Sequence, residues 1–189
     1  MEVESTKLAG VLILRNLVFK DERGVFKEWF RINELHGMLS TNFNAQQGNI
    51  SVSKKNVVRG LHYSLASQGQ SKLVTCANGA IVDYVVDLNP NSLTFKQFLE
   101  IELTAENGIS IFIPNGMGHG FRSLTDNSIL TYVLSSNYNP TLEHELNIFD
   151  PDLNILQQKD SYILSDKDAS APSVHELLSK NLLPKSGTT

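Results

Sequence analysis

The stretch Gly108-Ile-Ser-Ile-Phe-Ile-Pro114-Asn-Gly116-Met-Gly-His119 decides the fold. Ile109–Ile113 reads as a short buried strand. Pro114 cannot donate to a β-ladder, so the strand has to end there. Gly116 accepts backbone angles that side chains avoid, which permits a tight turn. The chain then re-enters with His119 directed toward the interior. Working outward, the same rhythm of short apolar or alternating segments recurs at 11–14, 25–30, 50–53, 72–76, 80–88, 98–103 and Ser128–Leu134. Asn78-Gly79 reads as a hairpin turn between two of them. Only 32–40 and 174–183 read as helices. There is no internal repeat and no low-complexity linker. Many short strands separated by Gly, Pro and Asn turns indicate an all-β sandwich or barrel with a few short helices.

The 189 residues, 41% hydrophobic and 19% charged, suit a single domain over 1–189, with 184–189 expected to fray. The net charge is −4 and both signs are interspersed, with no basic stripe, so nucleic acid is not an expected partner. No apolar run approaches the roughly 18 residues that span a bilayer, and no membrane partner is expected. The N-terminus lacks a basic segment followed by an apolar run, which points to a cytoplasmic protein. The one cysteine, Cys76, can form neither an intrachain disulfide nor a thiolate metal cage. Its apolar surroundings, Lys72-Leu-Val-Thr-Cys76-Ala, mark it as a buried structural thiol rather than a nucleophile.

The Gly, five residues, Pro-x-Gly, two residues, His spacing resembles the second motif of the cupins. The resemblance implies a cupin-type double-stranded β-helix, a jelly-roll barrel. The first cupin motif would supply His-x-His and a Glu. The corresponding stretch here is Arg59-Gly-Leu-His62-Tyr63. With His119 that makes two candidate ligands, short of the three usual for a catalytic metal, so no metal is expected.

Four groups bear chemistry. Arg59 offers a planar fork suited to phosphate, and His62 is a base near neutrality or simply a core histidine. Lys72 opens an apolar strand, either as a solvated strand end or facing a ligand in a barrel mouth. His119 lies in Gly118-His-Gly-Phe121, and Tyr132 follows on the next strand, as an acid or as packing. Leu164-Ser-Asp-Lys-Asp168 is a charged run that would ordinarily be solvated.

In order and spacing these groups resemble the dTDP-4-dehydrorhamnose 3,5-epimerases. The resemblance runs from Val18-Phe19-Lys-Asp-Glu-Arg-Gly24 through Gln47-x-Asn49-x-Ser51, Arg59-Gly-Leu-His-Tyr63 and Gln70-x-Lys72-Leu-Val. It continues through Asp83-x-x-x-Asp87, Ser92-x-Thr-Phe95, His119-Gly-Phe121, Tyr138-x-Pro140, Glu143-His144, Asp150-Pro151 and Ser165-x-Lys-Asp168. Glu143-His144 and Leu182-Leu-Pro184 look like the actinobacterial branch. Ser64, Asn89, Leu93 and Lys96 depart from the usual family residues, and Leu156-Gln157 stands where a late Trp-Pro is usual.

What the resemblance implies is cofactor-independent epimerisation of a dTDP-4-keto-6-deoxyhexose. His62 would be the base, with Asp168 accepting its other N–H. Tyr132 would return the proton from the opposite face, and Lys72 would sit at the enolate oxygen. Arg23 and Arg59 would hold the diphosphate, while Phe19 and Tyr138 pack on rings. Glu28, Gln47, Asn49, His119, Glu143 and Lys167 match substrate-contact positions. The resemblance also implies a homodimer whose N-terminal strands pair across the subunits. The alternatives are an epimerase acting at C3 alone, a non-catalytic nucleotide-sugar-binding cupin, and a metal-dependent cupin isomerase or dioxygenase.

Overall fold

The computed structural model describes residues 1–37, 39 and 43–185. The end of the expected helix over 32–40 and most of the expected loose tail lie outside them. The strands are β1 (Glu2–Ser5), β2 (Leu12–Arg15), β3 (Val18–Asp21), β4 (Gly24–Lys27), β5 (Gln47–Ser53), β6 (Val58–Ser64) and β7 (Lys72–Asn78). They continue with β8 (Ala80–Asp87), β9 (Phe98–Thr104), β10 (Ile109–Ile113), β11 (Met117–Ser123), β12 (Ser128–Leu134) and β13 (Glu143–Glu145). The α-helices are α1 (Ile32–His36), α2 (Asp166–Ala169) and α3 (Val174–Ser179).

β1-β2-β10-β7-β12-β5 form a six-stranded sheet and β13-β6-β11-β8-β9 a five-stranded one, while β3 and β4 make a separate hairpin. From β5 onward every connection except β8–β9 crosses from one main sheet to the other, which is the jelly-roll winding of a cupin-type barrel. Val74, Cys76, Ile111 and Leu130 of one sheet pack on Ile81, Val85, Leu103 and Phe121 of the other, forming the core between them. Cys76 is buried there, as its sequence context indicates.

Asn78-Gly79 is not a hairpin turn. β7 and β8 belong to different sheets, so the turn is a corner at which the chain changes sheet. Gly79 adopts φ 70° beside Thr125 and Ser128, where a side chain would collide. The local signal for a sharp reversal is the same in both cases; only long-range pairing separates them. The turn after β10 behaves as read, with Gly108 and Gly116 at φ 68° and 89°. The Ser92-x-Thr motif is structural: both hydroxyls donate to the buried Asp87 carboxylate and close the β8–β9 connection.

The C-terminal segment covers the outer face of the five-stranded sheet. Leu146, Ile148, Leu153, Val174, Leu177 and Leu183 pack against Leu61, Tyr63, Tyr84 and Val86. Ser173 and Glu176 form a reciprocal capping box that starts α3. Tyr63 Oη donates to the Leu182 carbonyl at 2.9 Å, and Pro184 is buried, so the expected fraying at 184 is corrected. Packing against Tyr63 anchors the chain further than terminal position suggests.

Candidate active site

The decisive local irregularity lies in β6. Arg59 and His62 are three apart, so a regular strand would point them to opposite faces. β11 opposes them with His119↔His62 and Phe121↔Arg59, and the register shifts between these pairs. Gly60 and Leu61 therefore face the single residue Gly120, a bulge that returns both Arg59 and His62 to the inner face. Glycine is required on both strands: Gly60 has φ 107°, and a Cβ on it would stand 2.7 Å from Gly120 Cα, while one on Gly120 would stand 2.7 Å from the Arg59 carbonyl.

The two sheets enclose a cavity of about 260 Å³. On the six-stranded wall, Gln47, Leu134 and Lys72 form one cross-strand row, and Asn49, Tyr132 and Val74 form the next. Directly opposed residues share a face, and Val74 belongs to the core, so both rows point inward. On the five-stranded wall stand Arg59 and His62 of β6, and Glu143 and Glu145 of β13, with Glu145 opposite His62. α2 closes the side and contributes Lys167 and Asp168.

His62 Nε2 lies 2.7 Å from Asp168 Oδ1. Burial pushes the Asp168 carboxyl up, but hydrogen bonds from His62, Ser165 and the Gly60 backbone outweigh it and hold the group below the usual carboxylate range. The ionised carboxylate makes Nε2–H the donor and leaves Nδ1 with its lone pair. Lys72 is buried, with Nζ 3.4 Å from the His62 carbonyl. Burial draws its pKa down, against the opposing pull of Glu143 and Asp83. Burial raises Tyr132, opposed by a hydrogen bond from Asn49 and by the Arg59 charge. The Arg59 charge is thus a cation acting on the phenol.

The remaining candidates divide. Gln47 bonds Asn49 at 3.0 Å and accepts from the Tyr138 amide at 2.7 Å, which places the exposed Tyr138 at the mouth. Glu143 accepts from Gln70 Nε2 at 3.0 Å. Arg59 reaches Ser53 Oγ at 3.2 Å. His119, expected at the substrate, does not line the cavity; it is buried with Nε2 2.8 Å from Asp83 Oδ2. Phe19, Arg23 and Glu28 are not brought to the cavity by this chain. Phe19 is exposed on the β3–β4 hairpin against Phe26, Arg23 pairs with Asp21, and Glu28 pairs with Arg31.

The sequence reading left out Glu145, which lines the cavity and pairs with Lys167. Alternation along Glu143-His-Glu145 was the available signal, because both acids fall on one face of a strand. Among the described residues, no three His, Cys, Asp or Glu side chains converge so as to hold a metal ion. No helix among them is long and apolar enough to cross a membrane.

Fold and cavity together define a cupin-type barrel with a cavity suited to acid–base chemistry, and the family matches place it among the isomerases. The profile of the dTDP-4-dehydrorhamnose 3,5-epimerase family matches residues 5–176. The chain is 34% identical to the dTDP-4-dehydrorhamnose 3,5-epimerase of Mycobacterium tuberculosis, over 98% of this chain and 93% of that one. It is 37% identical to a dTDP-4-dehydro-6-deoxyglucose 3-epimerase of Streptomyces bikiniensis, over 89% and 86%. The solved structure of a 4-keto-6-deoxy sugar epimerase from the novobiocin biosynthetic gene cluster of Streptomyces spheroides superposes with a TM-score of 0.93 at 33% identity, covering 97% of this chain and 92% of that one. The chain belongs to the dTDP-4-dehydrorhamnose 3,5-epimerase family.

Proposed function

We propose that the protein converts dTDP-4-dehydro-6-deoxy-D-glucose to dTDP-4-dehydro-L-rhamnose by removing and returning protons at C3 and C5. The 4-keto group acidifies both C–H bonds. His62 Nδ1 takes the proton, the C–H electron pair moves into the enolate, and the buried Lys72 ammonium supports the negative oxygen. Tyr132 donates its proton to the opposite face of the enolate, which inverts the carbon. The observation that carries this reading is the carboxylate-held imidazole on one sheet facing a protonated phenol on the other, with a buried ammonium beside the imidazole strand.

Gln47, Asn49, Arg59, Tyr138, Glu143 and Lys167 would contact the dTDP-sugar at the mouth. The second reading is epimerisation at C3 alone, supported by comparable similarity to a relative named a 3-epimerase. Incubation with dTDP-4-keto-6-deoxyglucose in heavy water separates the two. Deuterium at both C3 and C5, with the L-rhamno product accumulating, is the expected NMR result. Label at C3 alone would establish the second reading, and no label at either carbon would sink both.

The working unit is proposed to be a cytoplasmic homodimer. In one chain β1 and β5 are the edges of the six-stranded sheet. Ile50 and Val52 are exposed on β5, as are Phe19 and Phe26 on the β3–β4 hairpin, an apolar surface of the kind that meets a partner. A second copy also gives Phe19, Arg23 and Glu28 a route to a cavity their own chain does not offer. Light scattering at micromolar concentration is expected to give twice the 21.0 kDa chain mass; a monomer mass would remove this assignment.

A further inference from the structure

We propose that Glu145 is a positioning residue that, through Lys167, holds α2 so that Asp168 stays against His62. Glu145 and His62 are cross-strand partners on the inner face. Lys167 and Asp168 are neighbours on α2. Glu145–Lys167 and His62–Asp168 are thus two parallel ties between the sheet edge and the same short helix.

α2 needs such ties. It has four residues, and an isolated turn of helix is unstable because nucleation costs more than its few hydrogen bonds return. The Ser165 side chain caps its first turn at Asp168 N, and Lys159 Nζ donates to the Ala169 carbonyl at its far end. Between these, α2 side chains are joined to β6 and β13 by the two ion pairs and by the Gly60 backbone N–H, which donates to Asp168.

The exposures are unequal: the Glu145 side chain is 18% exposed and Lys167 59%. A carboxylate set into a paired strand is the fixed anchor, and the long lysine is the group it restrains. Without Glu145, α2 would be tied only through Asp168, by its bonds to His62 and to the Gly60 backbone. The imidazole would then share the looseness of the helix.

Both ends can be tested in the full-length protein. In the free ¹⁵N-labelled protein, Glu145→Gln and Lys167→Met are each expected to speed solvent exchange of the His62 Nε2–H at least roughly threefold. The His119 N–H bound to Asp83 lies outside the two ties and should be unchanged, which provides an internal control. In turnover with saturating substrate, each variant should lose roughly 3–10-fold in kcat, and the double variant should lose no more than the worse single one, as two members of one interaction do. Wild-type His62 exchange in both variants, or losses that multiply in the double variant, would overturn the proposal. Lys167 is exposed, so its variant tests the tie even if Glu145→Gln fails to fold. The turnover arm rests on the epimerase reading. If the wild-type protein fails to turn over the dTDP-sugar, that reading falls, while the exchange measurements still decide the role of Glu145.

Discussion

Replacing His62 by alanine is expected to lower turnover at least ~10²-fold, the lower range for loss of a general base. The imidazole lines the cavity. Its carboxylate partner fixes the ring and leaves one nitrogen for the substrate. The variant also strands Asp168, whose side chain is only 4% exposed. Breaking a fully buried pair costs about 3–5 kcal/mol; with the His62 side chain 41% exposed the loss should be smaller, and thermal melting will show whether the fold survives. Near wild-type deuterium exchange into the substrate by a folded variant would rule out His62 as the base.

Tyr132→Phe separates acid from base. Burial holds the phenol above its ordinary pKa near 10, so it is protonated at neutral pH and suited to donation. Tyr132 and His62 stand on different sheets. The phenylalanine variant is therefore expected to retain exchange from the His62 side while inversion falls by at least ~10²-fold, measured as labelled but uninverted substrate. If the ring only packs, removing one hydroxyl should be nearly silent, and inversion at the wild-type rate would give the position that meaning. Loss of exchange and inversion together, in a folded protein, would mean that the hydroxyl also holds the substrate.

Much of this architecture is legible in the residues. Gly108, Pro114 and Gly116 mark the strand end and turn that place β11, and the mismatch between Arg59 and His62 calls for the bulge found at Gly60. Other features are illegible for physical reasons. Asn78-Gly79 signals a reversal without saying whether the next strand joins the same sheet. β3 and β13 are only four and three residues long, so their periodicity is weak, and the inward direction of Glu145 depends on its pairing with His62. The roles assigned to Phe19, Arg23 and Glu28 rest on resemblance, and the fold of one chain sets Phe19 and Arg23 on a hairpin, and Glu28 just after it, outside the lining of the cavity. His119 lies on the motif that positions it, yet its partner Asp83 became visible only when β8 and β11 were seen side by side.

The contact between His62 and Asp168 joins positions 106 residues apart. At roughly 5–20 residues per second, a ribosome adds that interval in about 5–20 s. During that time the strand bearing the imidazole has been made while its carboxylate has not. The segment just after Asp168 also carries Val174, Leu177 and Leu183, the last part of the apolar cover of the five-stranded sheet, so the seal over its wall is completed soon after the dyad. A translation product arrested before residue 168 would hold a histidine with no acid behind it and an apolar face still lacking the Val174, Leu177 and Leu183 part of its cover.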